Sequence, residues 1–172
     1  MTKLNTVLCI GDVILDCYSE GLIDRISPEA PIPILKLLDS EKMVLGGSGN
    51  VARNICEAGS KCHLISVVGV DDDSKRIASL CYQEKNLTFD LIQDKKRCTT
   101  KKQRFVSGNQ QIIRVDREET NKIDEKIEDK IYEKFVKRIL KCDVVVISDY
   151  NKGVLTKSLT TKIIRLSKKK KK

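Results

Sequence analysis

Apolar residues in this chain come in short consecutive runs that end at a glycine or an acid and alternate with segments of helical periodicity. Thr6 to Ile10 stops at Gly11-Asp12, His63 to Val68 stops at Gly69, and Val144 to Ile147 stops at Ser148-Asp149. A run without polar alternation is buried on both faces, as in a parallel sheet covered by helices. Between the runs, Val51, Ala52, Ile55 and Ala58 keep helical spacing up to a stop at Gly59, and Asp71-Asp72-Asp73-Ser74 supplies N-cap chemistry for a helix to Gln83. Ile123, Ile127, Ile131, Phe135 and Ile139 recur every four residues within Lys122 to Leu140, and a last helix is expected from near Thr156. The fold class that follows is α/β, with a three-layer α/β/α sheet.

Two segments do not fit that sheet. Residues 13–40 hold all three prolines, Pro28, Pro31 and Pro33, and residues 98–117 alternate in polarity around the turn Ser107-Gly108-Asn109. They are expected to form a small β-lid. The expected organisation is one domain over 1–167, with lid segments near 13–40 and 98–117, followed by a disordered lysine tail at 168–172. About four buried strands can be counted before the sequence stops at a helix, so the sheet is expected to be incomplete. Apolar surface would then stay uncovered unless a partner covers it.

The charge excess of +9 over 172 residues draws five of its charges from Lys168 to Lys172, which leaves the body mildly basic. No aromatic platform accompanies that block, and no specific nucleic-acid partner is expected. Seven cysteines are scattered without a Cys-x-x-Cys pair, and His63 is the single histidine, so no zinc or other metal site is legible. Unpaired cysteines in apolar segments fit reduced thiols, and no run approaches a membrane span. The chain is expected to be cytoplasmic, without a membrane partner.

Gly46-Gly47-Ser48-Gly49-Asn50 has neither the spacing of a dinucleotide fingerprint nor the Gly-Lys-Ser/Thr ending of a nucleotide loop. Bare glycine backbone at a helix start either makes a tight turn or lets a polar ligand come close, with Asn50 donating to it. Gly46, Gly47, Gly49, Asn50, Ala52, Gly59 and Gly69 fit the first pattern of the PfkB (ribokinase-like) carbohydrate kinases, which this sequence resembles. The short distance from the glycine pair to Asn50 is similar to the heptose 7-phosphate kinase branch of that family. Further matches are Gly11-Asp12-Val-Ile-Leu-Asp16, Arg25 to Pro31, Thr100 to Arg104, Asn109-Gln110-Gln111, Arg114-Val-Asp116 and Ser148 to Gly153, which together span nearly the whole chain.

The resemblance implies ATP-dependent phosphorylation, with Mg2+, of D-glycero-D-manno-heptose 7-phosphate at its anomeric hydroxyl, a step toward ADP-heptose for lipopolysaccharide core. It implies that Asp16, Gly46, Gly47, Asn50 and Asp149 hold the sugar, that Lys102, Arg104 or Arg114 meet its phosphate, and that Asn109 and Gln110 of the turn they flank also contact the substrate. In an alternating strand Lys102 and Arg104 share a face, which suits an anion. Relatives also pair their lids, which implies a homodimer. The family's Asn-x-x-Glu and Gly-Ala-Gly-Asp elements, which serve the metal, the anion hole and the catalytic base, do not occur in this sequence. No catalytic residue is therefore expected here, and the chain resembles the N-terminal part of such a kinase, without activity alone. The alternative is a non-catalytic remnant that binds sugar phosphate or dimerises.

Overall fold

The computed structural model describes residues 5–172, so the first four residues of the expected 1–167 domain lie outside the described residues. In chain order the elements are β1 (Thr6–Gly11), β2 (Val13–Ile26), β3 (Pro33–Gly47), α1 (Ser48–Glu57), β4 (Lys61–Val68), α2 (Asp72–Gln83), β5 (Leu87–Gln93), β6 (Lys101–Ser107), β7 (Gln110–Arg117), α3 (Glu125–Ile139), β8 (Val144–Ser148) and α4 (Lys157–Lys169). Strands β5, β4, β1 and β8 form a parallel sheet in that order. A second sheet, ordered β3-β2-β6-β7, is built from the two expected lid segments.

Successive residues of β1 point to opposite layers. Leu8 and Ile10 pack with Ile127, Ile131 and Phe135 of α3 and with Leu159 and Ile163 of α4, whereas Cys9 packs with Ala52 of α1 and Ile77 and Cys81 of α2. The α/β/α order follows from this division. All five residues of the four-residue repeat, Ile123 to Ile139, are buried. Each such side chain contributes roughly 1.5–3 kcal/mol by leaving water. The helix ends are closed as their residues dictate: Asp71 accepts from the Ser74 N–H at 2.9 Å and Asp124 from the Ile127 N–H at 3.0 Å. Ser60 N–H reaches Ile55 O and Gly59 N–H reaches Cys56 O, with Gly59 at φ 85°, a paired reversal that ends α1.

Three features depart from expectation. Lys168 and Lys169 are not tail but the last turn of α4, and Lys170 caps it. Lysine is a good helix former, and cations at a helix C-terminus oppose the dipole, which favours continuing the helix. The first lid segment runs on through β3 to Gly47, so the lid is rooted directly in the glycine turn. Strand β5 is not among the expected strands, because as an edge strand it is only partly covered and carries no continuous apolar run. The opposite edge, β8, pairs with β1 alone; Val144 is 48% exposed and Val145 to Ile147 are half-buried, so the sheet is not closed there. All seven cysteines are free, and burial pushes the Cys9 and Cys81 thiols up to about 12, which makes them inert packing groups.

His63 on β4 sits between Thr88 and Asp90 of β5, with Nδ1 2.7 Å from Thr88 Oγ1 and Nε2 2.9 Å from Asp90 Oδ2. Burial lowers its pKa against the opposing pull of the Asp90 hydrogen bond. A folded-state value below the unfolded one means that the unfolded chain takes up the proton first as pH falls. Stability contributed by neutral His63 is then lost as pH drops below about 6.5. His63→Gln should flatten the dependence of melting temperature on pH between roughly 7 and 5. An unchanged slope would show that other groups carry it.

Candidate functional site

Asp12 is the hub from which the site is built. It follows β1 at the C-terminal edge of the parallel sheet, where such folds bind ligands, and is 1% exposed. Its Oδ2 accepts the Tyr150 N–H at 2.8 Å and the Lys152 N–H at 3.3 Å, and its Oδ1 accepts the Val154 N–H at 3.3 Å. Its carbonyl accepts the Ser48 N–H at 2.9 Å, and its own N–H donates to Ser148 O at 3.2 Å. One residue thus ties the end of β1, the start of α1 and the loop after β8. Burial raises the Asp12 carboxyl above the usual carboxylate range, while the three backbone donors pull the other way.

Along β2 the side chains alternate. Val13, Leu15 and Cys17 enter the core, which leaves Asp16 and Tyr18 on the other face. Across the lid, Val44, Asp16, Lys102 and Asp116 stand in one register row, and Lys42, Tyr18, Arg104 and Arg114 in the next. Arg104 Nη1 donates to Asp16 Oδ1 at 2.6 Å, and its guanidinium lies 5.2 Å from the centre of the Tyr18 ring. Arg114 Nε donates to Asp116 Oδ1 at 2.8 Å, whereas Lys102 has no ion-pair partner among the described residues. A Cβ on Gly46 would overlap Asp16 Oδ2, so the carboxylate lies against bare backbone. Gly47 has φ 55°, and a Cβ there would overlap the Asp12 carbonyl oxygen. Gly47 requires glycine, whereas a side chain at Gly46 could enter only by displacing the Asp16 carboxylate.

The structure therefore brings Asp16, Gly46, Lys102 and Arg104 together, with Arg114 alongside in the same row. Gly47, Asn50 and Asp149 join through Asp12, because Gly47 leads into the Ser48–Glu57 helix that Asp12 holds and Asp149 opens the loop it anchors. Asn50 Oδ1 accepts from Arg53 Nη2 at 3.0 Å, and exposed Asp149 accepts the Asn151 N–H at 2.8 Å. Asn109 and Gln110 are not part of this group. They lie at the exposed β6–β7 tip, roughly 17 Å of strand beyond the Asp16 row.

Sequence reasoning missed the anchoring role of Asp12, whose signal was an acid placed immediately after the glycine of a buried strand. It also missed Tyr18 and Arg53, which carry no signal beyond their residue type. The assembled groups are carboxylate acceptors, one amide, open backbone and cations, a set that holds hydroxyls and an anion. Among the described residues no three His, Cys, Asp or Glu side chains converge to hold a metal. No helix among them is long and apolar enough to cross a membrane.

Residues 4–172 match the profile of the pfkB family carbohydrate kinases. The bifunctional protein HldE of Caulobacter vibrioides is 43% identical over 163 residues, which are 95% of this chain and 33% of that protein. Its namesake from Helicobacter pylori is 40% identical over 164 residues, 95% of this chain and 35% of that one. The chain thus spans about a third of the length of the curated relatives it matches. Among solved structures, phosphofructokinase-2 from Escherichia coli in complex with fructose-6-phosphate superposes with TM-score 0.68 at 18% identity, over 97% of this chain and 52% of that one. A carbohydrate kinase from Agrobacterium tumefaciens gives TM-score 0.67 at 19% identity, over 98% and 52%. At that identity the likeness speaks for the ribokinase-like fold.

Proposed function

The chain belongs to the pfkB family of carbohydrate kinases, and on that basis we propose that it provides the sugar-holding side of a kinase acting on D-glycero-D-manno-heptose 7-phosphate at its anomeric hydroxyl. The observation that carries this reading is the Asp16 carboxylate seated against the bare backbone of Gly46 and flanked by Lys102 and Arg104. Two carboxylate oxygens suit a vicinal diol, and the adjacent cations suit its phosphate. Asn50 and Asp149 add a donor and an acceptor from the three-layer body. ATP supplies the phosphoryl group in such a reaction and Mg2+ offsets its charge. The described residues offer no converging metal ligands, and the glycine turn has no lysine, so neither group is assigned to side chains of this chain.

The same reading includes a homodimer joined through the lid. Leu22, Ile26, Ile32 and Leu37 of its first two strands and their connection are 53–61% exposed, and Ile113 and Val115 of β7 are 55% and 51% exposed, an apolar surface that a second copy would cover.

Calorimetric titration of the chain with heptose 7-phosphate, fructose 6-phosphate and ribose, on samples also run in sedimentation velocity, tests this. Heptose 7-phosphate should bind tightest, to a species of twice the 19.4 kDa chain mass. A folded chain that binds none of the three sugars would refute the reading.

A further inference from the structure

We infer that Arg53, on the buried-to-surface boundary of α1, is a positioning residue that fixes which end of the Asn50 amide meets the sugar. The inference rests on the proposal that Asn50 is a sugar contact. Arg53 Nη2 donates to Asn50 Oδ1 at 3.0 Å, one helical turn away. A guanidinium has five donors and no acceptor, so the amide atom that faces it must be the oxygen. The Asn50 NH2 is thereby turned away from Arg53 and presented as a donor only. Left alone, an asparagine would offer either end and bind an acceptor or a donor.

Apart from that bond Arg53 has one ion-pair neighbour among the described residues, the largely exposed Glu57. The Arg53 side chain is 28% exposed, and its Nε lies 3.5 Å from Glu57 Oε1, within ion-pair range but without hydrogen-bond alignment, so the buried Nε–H has no partner. Arg53 also lines a cavity of about 570 Å³ with the acids Glu20, Asp39 and Glu41 and with Tyr18, Lys42 and Val44, which belong to the register rows of Asp16 and Arg104, although neither Asp16 nor Arg104 lines it. Arg53 thus stands between the helix amide and the lid face. It selects for an oxygen acceptor on the bound sugar without touching it.

A double-mutant cycle reads this out. Dissociation constants for heptose 7-phosphate are measured by calorimetry on the full chain as wild type, Arg53→Met, Asn50→Ala and the double variant, each checked by thermal melting. Arg53→Met keeps the apolar stem and removes the donors. It should weaken binding about tenfold, as should Asn50→Ala, and the double variant should bind no more weakly than Asn50→Ala alone. Arg53→Lys, which keeps a donor, should recover part of the loss and replaces the methionine variant if that one melts below the assay temperature. Additive losses, or wild-type affinity in Arg53→Met, would overturn the inference while leaving Asn50 as a sugar contact. Wild-type affinity in Asn50→Ala, or no binding by the wild-type chain, would remove the proposal beneath it.

Discussion

Asp16→Ala should weaken heptose 7-phosphate binding by about a hundredfold or more, with a small change in melting temperature. Two hydroxyls donating to an ionised carboxylate are charge-assisted bonds, each worth roughly 1.5–3 kcal/mol, so losing both reaches that range. Arg104, 18% exposed, loses its carboxylate but keeps the Tyr18 ring and part of its contact with water, so the loss of stability should stay at about 1 kcal/mol. Asp16→Asn separates charge from shape: it keeps one oxygen acceptor and should fall between wild type and Asp16→Ala. Gly46→Ala should mimic the loss without touching the acid, since the added Cβ displaces Oδ2. Calorimetry on the variants checks all of this, and unaltered affinity in Asp16→Ala would remove the acid from the site.

The largest expected loss of stability belongs to Asp12→Ala. The side chain is buried, and its removal leaves the N–H groups of Tyr150, Lys152 and Val154 without their acceptor. An orphaned buried donor costs about 1–3 kcal/mol, and the loop will rearrange to recover part of this. A net loss of about 3 kcal/mol, or about 10 °C in melting temperature, is expected. Asp12→Asn should recover little, because its NH2 would confront backbone donors at one of the two oxygen positions. Thermal and urea melts decide the matter, and a shift below about 2 °C would show that the loop holds itself.

Legibility in the sequence followed burial. Strands β1 and β4 and helix α3 were readable because both faces of the strands, and one whole stripe of the helix, are dry, so their apolar residues repeat without interruption. Strand β5 was not, since an edge strand tolerates Thr88 and Asp90 between its apolar residues. The lid hairpin was found from its turn, but the reach of β3 to Gly47 was not, because no proline or glycine cluster marks its middle. The resemblance to the PfkB family pointed to Asp16 and Gly46, and the structure adds why they go together. No pattern in the sequence could reveal that Arg104 would engage Asp16, because a partner 88 residues away is a matter of register between strands.

The lid carries Asp16 and its cations on one sheet, while Asn50 and Asp149 are fixed to the other, and the two sheets join through Asp12–Val13 and Gly46–Gly47. On the proposed function, a sugar gripped from both sides would be a strut across that joint. Tightness of binding and stiffness of the joint then become one quantity, so hydrogen exchange at Val13 and Gly47 should slow in proportion to ligand occupancy.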